Sequence, residues 1–142
     1  MAKQINVFLE NRPGSLNKIT AILHEAGINL RAMEIQDRED FGIMKLLVND
    51  PDKALLALSD AGIAAAVKDI LVIAIKDQPG GLNALAQIFE EEEINMLDAY
   101  GFVVESQKEA VWCVEVEEIE KTIRAVKAKG FRILTDDELY EL

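Results

Sequence analysis

At 142 residues, half of them hydrophobic, the chain is long enough for one domain or two small ones and too apolar to be disordered. Lys and Arg number 15 against 26 Asp and Glu, a formal charge of −11 with no basic stripe, which argues against a nucleic-acid partner. One cysteine, Cys113, excludes an internal disulfide and suits a reducing compartment. The most apolar strand-like run, Ile70 to Ile75, is far short of the roughly 20 residues of a membrane span. Met1 to Gln4 lead straight into strand-like sequence with no apolar signal region, so a cytoplasmic protein with no membrane partner is expected.

In chain order, Ile5, Val7 and Leu9 alternate with Asn6, Phe8 and Glu10 as in a strand, and Asn11-Arg12-Pro13-Gly14 is turn chemistry. Leu16, Ile19, Ile22, Leu23 and Ala26 then fall on one helical face, with Gly27 as the C-terminal cap. Asn29 to Ile35 reads as a second strand, Asp37 to Asp40 as a solvated hairpin turn and Ile43 to Val48 as a third strand. Asp50 caps a helix that has Pro51 at its first position and Leu55 and Leu58 turned inward. Gly62 ends that helix and Ile63 to Lys68 is a fourth strand.

The order βαββαβ then repeats. Leu71, Ile73 and Ile75 form a strand; Leu82, Leu85, Ile88 and Phe89 form a helical stripe; strands follow over Asn95 to Val104 and Val111 to Val116. Ile119, Ile123 and Val126 face inward from a helix, Phe131 to Leu134 close the unit, and Thr135 with Glu138 makes a capping box for a last turn. A shift of 66 residues superposes Pro13-Gly14 on Pro79-Gly80, Leu16-Asn17 on Leu82-Asn83 and Ile28-Asn29 on Ile94-Asn95. A shift of 68 superposes Met44, Leu46, Val48 and Gly62 on Trp112, Val114, Val116 and Gly130, so a two-residue insertion lies between these blocks.

The fold class expected is α+β: two tandem ferredoxin-like βαββαβ units, antiparallel sheets with helices on one face, divided at 1–69 and 70–142. Such a sheet leaves its other face open. Because Ile70 to Ile75 is apolar at both parities and Val111 and Cys113 point away from the Trp112 face, a second copy of the chain is expected to cover it, giving a homodimer.

A unit with a Pro-Gly turn before its first helix and an Ile-Asn start to its second strand resembles the ACT domain. The residues that carry the likeness are Asn11 to Leu16 with Gly27-Ile28-Asn29, and Asp77 to Leu82 with Ile94-Asn95. Phe8 to Gly14 and Asp40 to Ile43 are similar to segments of the stand-alone tandem ACT proteins of bacteria and archaea. That resemblance implies a regulatory protein that binds an amino acid or related small metabolite near a domain or subunit interface. It also implies no catalysis, and a regulated enzyme acting as a separate chain.

The candidate ligand-binding residues are Asn11, Arg12, Pro13, Gly14, Ser15, Leu16 and Asn29, and in the second unit Asp77, Gln78, Pro79, Gly80, Gly81, Leu82 and Asn95. A helix beginning near Gly14 directs unpaired N–H groups and the positive end of its dipole at a carboxylate. Asn11 offers both a donor and an acceptor. By resemblance to the serine-sensing domain of phosphoglycerate dehydrogenases, Asn11 and Asn29 match binding asparagines, while that pattern's histidine falls on Leu9. Asp77 in place of Asn11, and Gly81 in place of Ser15, make the two loops unequal; the aspartate favours a ligand's ammonium.

No cofactor or metal is expected, since a lone His24 and a lone Cys113 do not make a metal set. His24 reads as a solvated residue, Met33, Met44 and Met96 as core filler, and Glu90 to Glu93 as a solvated helix end. No nucleophile has a neighbouring base, so an enzyme is not expected. An RNA platform would need exposed aromatics on its third strands, which instead present Ile43-Lys45-Leu47 and Val111-Cys113-Glu115. The alternative function is a ligand-independent protein–protein interaction module.

Overall fold

The computed structural model describes residues 1–142, which form two compact units. The first comprises Lys3–Lys68 with Tyr140–Leu142, and the second Met1–Ala2 with Asp69–Leu139. The elements are β1 (Ala2–Leu9), α1 (Ser15–Glu25), β2 (Leu30–Asp37), β3 (Gly42–Val48), α2 (Pro51–Asp60), β4 (Ala64–Lys76), α3 (Gly81–Glu91), β5 (Met96–Glu105), β6 (Glu109–Val116), α4 (Ile119–Ala128) and α5 (Asp136–Tyr140). Each unit follows the βαββαβ order, and the class is α+β.

In the first unit the sheet order is β2-β3-β1-β4. Antiparallel pairing sets Ile5 opposite Leu46, Val7 opposite Met44 and Ile35 opposite Met44. The period-2 pattern thus delivers Ile5, Val7, Met44, Leu46 and Val48 to one face, where α1 adds Ile19 and Leu23 and α2 adds Ala54 and Leu58. Each such aliphatic side chain taken fully out of water contributes about 1.5–3 kcal/mol. Asp50 caps α2 as expected, its carboxylate accepting the Lys53 N–H at 3.1 Å. Ala54, rather than Leu55, shares the inward face with Leu58, because residues four apart lie over one another on a helix.

The second unit repeats this with Leu71 opposite Val114 and Ile73 opposite Trp112, covered by Leu85, Ile88, Phe89 and Val126. Its last strand is reduced to a bridge between Ile73 and Ile133, flanked by bonds of 2.8 Å from the Ala74 N–H to the Arg132 carbonyl and from the Leu134 N–H to the Val72 carbonyl. The capping box forms: the Thr135 N–H reaches Glu138 Oε2 at 2.7 Å and the Glu138 N–H reaches Thr135 Oγ1 at 3.3 Å. These bonds, the Thr135 N–H first, and the nearby Arg132 guanidinium hold the Glu138 carboxyl below its ordinary range.

The repeat extends to individual hydrogen bonds. Arg12 N–H to Glu10 O, Ser15 N–H to Arg12 O and Lys18 N–H to Gly14 O recur, 66 residues on, as Gln78 to Lys76, Gly81 to Gln78 and Ala84 to Gly80. At the far end of the helices, Ile28 N–H to Leu23 O recurs as Ile94 N–H to Phe89 O. This closure needs a left-handed residue, which is Gly27 at φ 70° in the first unit and Glu93 at φ 53° in the second.

Three expectations are revised. The fourth strand of the first unit and the first strand of the second are one strand, β4, because nothing between Lys68 and Ile70 breaks an extended backbone. Met33 is not core filler; it lies exposed on β2 at the end of its sheet, whereas Met44 is buried and Met96 packs on the second core. Lys45, Leu47, Val111 and Cys113, expected to face outward, are each 5% exposed or less within the single chain, so their burial requires no second copy. No helix is long and apolar enough to cross a membrane.

Candidate functional site

The two Pro-Gly loops share a backbone path but differ in side chains and in room. In the first, Ser15 Oγ donates to the Glu10 carbonyl at 2.5 Å, and Arg12 pairs with Glu10 at 3.0 Å. Asn11, Arg12, Pro13, Gly14 and Leu16 are exposed. Asn11 also lies against Gly42, where an added Cβ would stand 2.9 Å from the Asn11 Cβ. In the second loop the position of Ser15 is taken by Gly81, and a Cβ there would fall 2.0 Å from the Lys76 carbonyl oxygen. The first loop therefore accommodates a side chain where the second closes on its own backbone.

The second loop borders a cavity of about 540 Å³. Gln78, Gly80 and Gly81 line it from the loop, and Ala84 from the first turn of α3. Ala74, Ile75 and Lys76 come from the end of β4, Lys108 from the turn before β6 and Glu109 from its first position, and Lys129, Gly130, Phe131 and Arg132 from the segment after α4. The volume is within the range of small-molecule sites. A second cavity of about 420 Å³, lined by Leu71, Ile123, Lys127, Ile133 and Asp136 among others, contains none of the loop residues.

Of the candidates in the second unit, Gln78, Gly80 and Gly81 thus meet at one cavity, while Asp77, Pro79 and Leu82 do not line it. Asp77 holds the β5–β6 turn instead: its Oδ2 accepts the Gln107 N–H at 2.6 Å, and its own N–H donates to the Lys108 carbonyl at 3.1 Å. Asn29 and Asn95 follow the C-terminal ends of α1 and α3, whereas the loops precede the N-terminal ends. An 11-residue helix is about 16 Å long, so one small ligand does not reach both an asparagine and a loop of the same unit. Asn29 instead exchanges bonds with Asn49, its N–H donating to Asn49 Oδ1 at 2.9 Å and its carbonyl accepting the Asn49 N–H at 3.1 Å.

The four cations at the cavity were not among the sequence candidates. Lys76, Lys108, Lys129 and Arg132 come from three segments whose convergence only the fold supplies. A signal was nonetheless present. Under the 66- and 68-residue shifts, Lys76 and Lys108 correspond to Glu10 and Asp40, and Lys129 and Arg132 to Ala61 and Ala64, so acidic or neutral positions in one unit become basic in the other.

The family of ACT domain pairs matches the sequence over residues 1–142. The chain belongs to that family. ACT domains are regulatory modules, and membership supports a small-molecule-binding regulatory role. The chain is similar to a protein of known structure from Bacteroides thetaiotaomicron, BT0572, at 33% identity over 99% of this chain and 96% of that one, with a TM-score of 0.92. Its fold is also that of the ligand-free regulatory subunit of aspartate kinase from Thermus thermophilus, at 20% identity, 90% and 92% coverage and a TM-score of 0.66. No curated protein matches the chain.

Proposed function

We propose that this ACT domain pair senses an amino acid or related small metabolite and that the ligand occupies the cavity at the second Pro-Gly loop. The observation that carries the reading is the coincidence of the family's loop with a cavity of ligand size, lined by Phe131, Ile75 and Ala84 together with basic residues. The N-terminus of α3 begins at Gly81, so the positive end of its dipole lies at the same loop. The first loop, with Asn11 and Arg12 exposed, is the weaker candidate, since its equivalent positions carry acidic groups.

Control of a separate enzyme follows from the same reading, with occupancy shifting the population of the controlled state. Self-association belongs to it as well: β2, at the end of its sheet, leaves Met33 and Ile35 each 38% exposed, and a light-scattering mass of one chain would remove that part.

The test is thermal unfolding of the full chain against the twenty amino acids and their 2-oxo and 2-hydroxy counterparts. A ligand at about 100 times its dissociation constant adds about 2.7 kcal/mol, an upward shift of roughly 5–10 °C for a chain of this size. The Ala84→Phe variant, which places a ring in the cavity, abolishes the shift if the ligand binds there. A shift that survives Ala84→Phe removes the cavity from the reading. No shift with any compound favours a ligand-independent interaction module.

A further inference from the structure

The charges around the cavity narrow the ligand class. Four basic side chains border it, Lys76, Lys108, Lys129 and Arg132, against one carboxylate, Glu109. Both Glu109 oxygens already accept from Arg132, at 3.2 and 3.3 Å. Asp77, the residue placed to meet an ammonium group, is bonded to the Gln107 N–H and does not line the cavity. An amino acid held here would find Lys76, the one lining cation without a carboxylate partner, for its carboxylate, and no free lining carboxylate for its α-ammonium group.

The excess of cations is not a general property of the surface, since the chain as a whole carries −11. Nor is it inherited from the repeat, because the first unit has Glu10, Asp40, Ala61 and Ala64 at the corresponding positions. Where the cations have other partners, these are solvent-facing: Lys108 pairs with Glu105, Lys129 with Glu91 at 3.4 Å, and Arg132 with Glu138 at 2.9 Å. Exposed pairs of this kind hold little free energy and yield readily to a bound anion. Lys76 makes no ion pair at all. Beside the basic residues, the half-buried Phe131 and Ile75 and the exposed Ala84 add apolar surface to the lining.

We propose that this cavity binds a carboxylic acid without an α-ammonium group, a 2-oxo or 2-hydroxy acid with an apolar body, in preference to the amino acid of the same side chain. The proposal rests on the reading that the cavity is the ligand site, and deepens it by naming the ligand class. The preference arises from electrostatics: a carboxylate meets the unpaired Lys76, whereas an ammonium group is repelled by that lysine and meets no lining carboxylate free to accept it.

The experiment is isothermal titration calorimetry of the full chain at low ionic strength with matched pairs: phenylpyruvate against phenylalanine, 4-methyl-2-oxopentanoate against leucine, and phenyllactate as the hydroxy acid. The acids lacking the ammonium group are expected to bind about tenfold tighter or more than their amino-acid partners. Lys76→Gln, at an exposed and unpaired position that tolerates substitution, is expected to weaken them several-fold and to reduce the salt dependence of binding. Equal or tighter binding of the amino acids, abolished by Ala84→Phe, would overturn the ligand class while leaving the cavity as the site. Binding indifferent to Ala84→Phe, or no binding of either class up to 10 mM (a ceiling of about −2.7 kcal/mol), would overturn the site and the ligand class together.

Discussion

Gly81→Ala tests whether the two Pro-Gly loops differ in room as well as in charge. A Cβ at Gly81 would lie 2.0 Å from the Lys76 carbonyl oxygen and 3.1 Å from its carbon, where ordinary contact begins near 3.4 Å. The obstacle is backbone belonging to β4, held by the Gln78 N–H at 3.0 Å, so about 1.4 Å (3.4 − 2.0) must be found by moving the loop or the start of α3. Overpacking of this kind costs about 1–3 kcal/mol. Replacing glycine at a helix start returns about 0.4–1 kcal/mol through the unfolded chain. The steric effect wins, leaving a net loss of about 1–2 kcal/mol and a midpoint roughly 2–7 °C lower by differential scanning calorimetry. The matched change in the first unit, Ser15→Ala, introduces no clash and removes one exposed hydrogen bond to Glu10, about 1 kcal/mol at most. A Gly81→Ala midpoint equal to or above the parent's would refute the close approach and with it the account of why the loops diverge.

Two further substitutions read the repeat and the core. Glu93→Gly puts a glycine at the left-handed position that Gly27 fills in the first unit, and removes an acid from the end of α3 where the helix dipole disfavours one; it should raise stability by about 1 kcal/mol in urea unfolding followed by Trp112 fluorescence. Cys113 is buried, and desolvation pushes its thiol up to about 12 against the opposing hydrogen bond of Tyr100, so a disulfide reagent should label it only after denaturation. The sign of the linked pH effect follows. The folded chain keeps a proton that the unfolded chain gives up, so this contribution is intact below about pH 9 and is lost as pH rises toward 12, at about 1.4 kcal/mol per unit. Cys113→Ala should flatten that part of the alkaline decline.

What the sequence made legible is what depends on local pattern. Ile5 and Val7 at period 2, the Ile19 and Leu23 stripe, the Asp50 cap and the Thr135–Glu138 box each depend on residues close in the chain, and each is found in the structure. Burial by distant segments was not legible. Lys45, Leu47 and Cys113 alternate as solvent-facing residues would, and period 2 alone reports parity without saying what lies opposite. The same limit applied to the site. A family pattern joins Asn29 to Asn11, and a helix of 11 residues separates them within the unit, a distance the pattern itself does not report.

The charge inversion between the repeats has a different status, because it was present in the sequence and needed the fold to be interpreted. Hydrogen bonds that recur at a shift of 66 show that both loops solve the same backbone problem, so folding does not explain their difference. Glu10 and Lys76 occupy one structural position, as do Asp40 and Lys108, and all four are exposed, where either sign is tolerated. At the cavity Lys108, Lys129 and Arg132 keep carboxylate partners in exposed pairs that hold little free energy, and Lys76 keeps none. On the proposed reading, a bound carboxylate is the partner that Lys76 lacks. A sensor requires that property, an occupied state favoured over an empty one by the ligand's own charge.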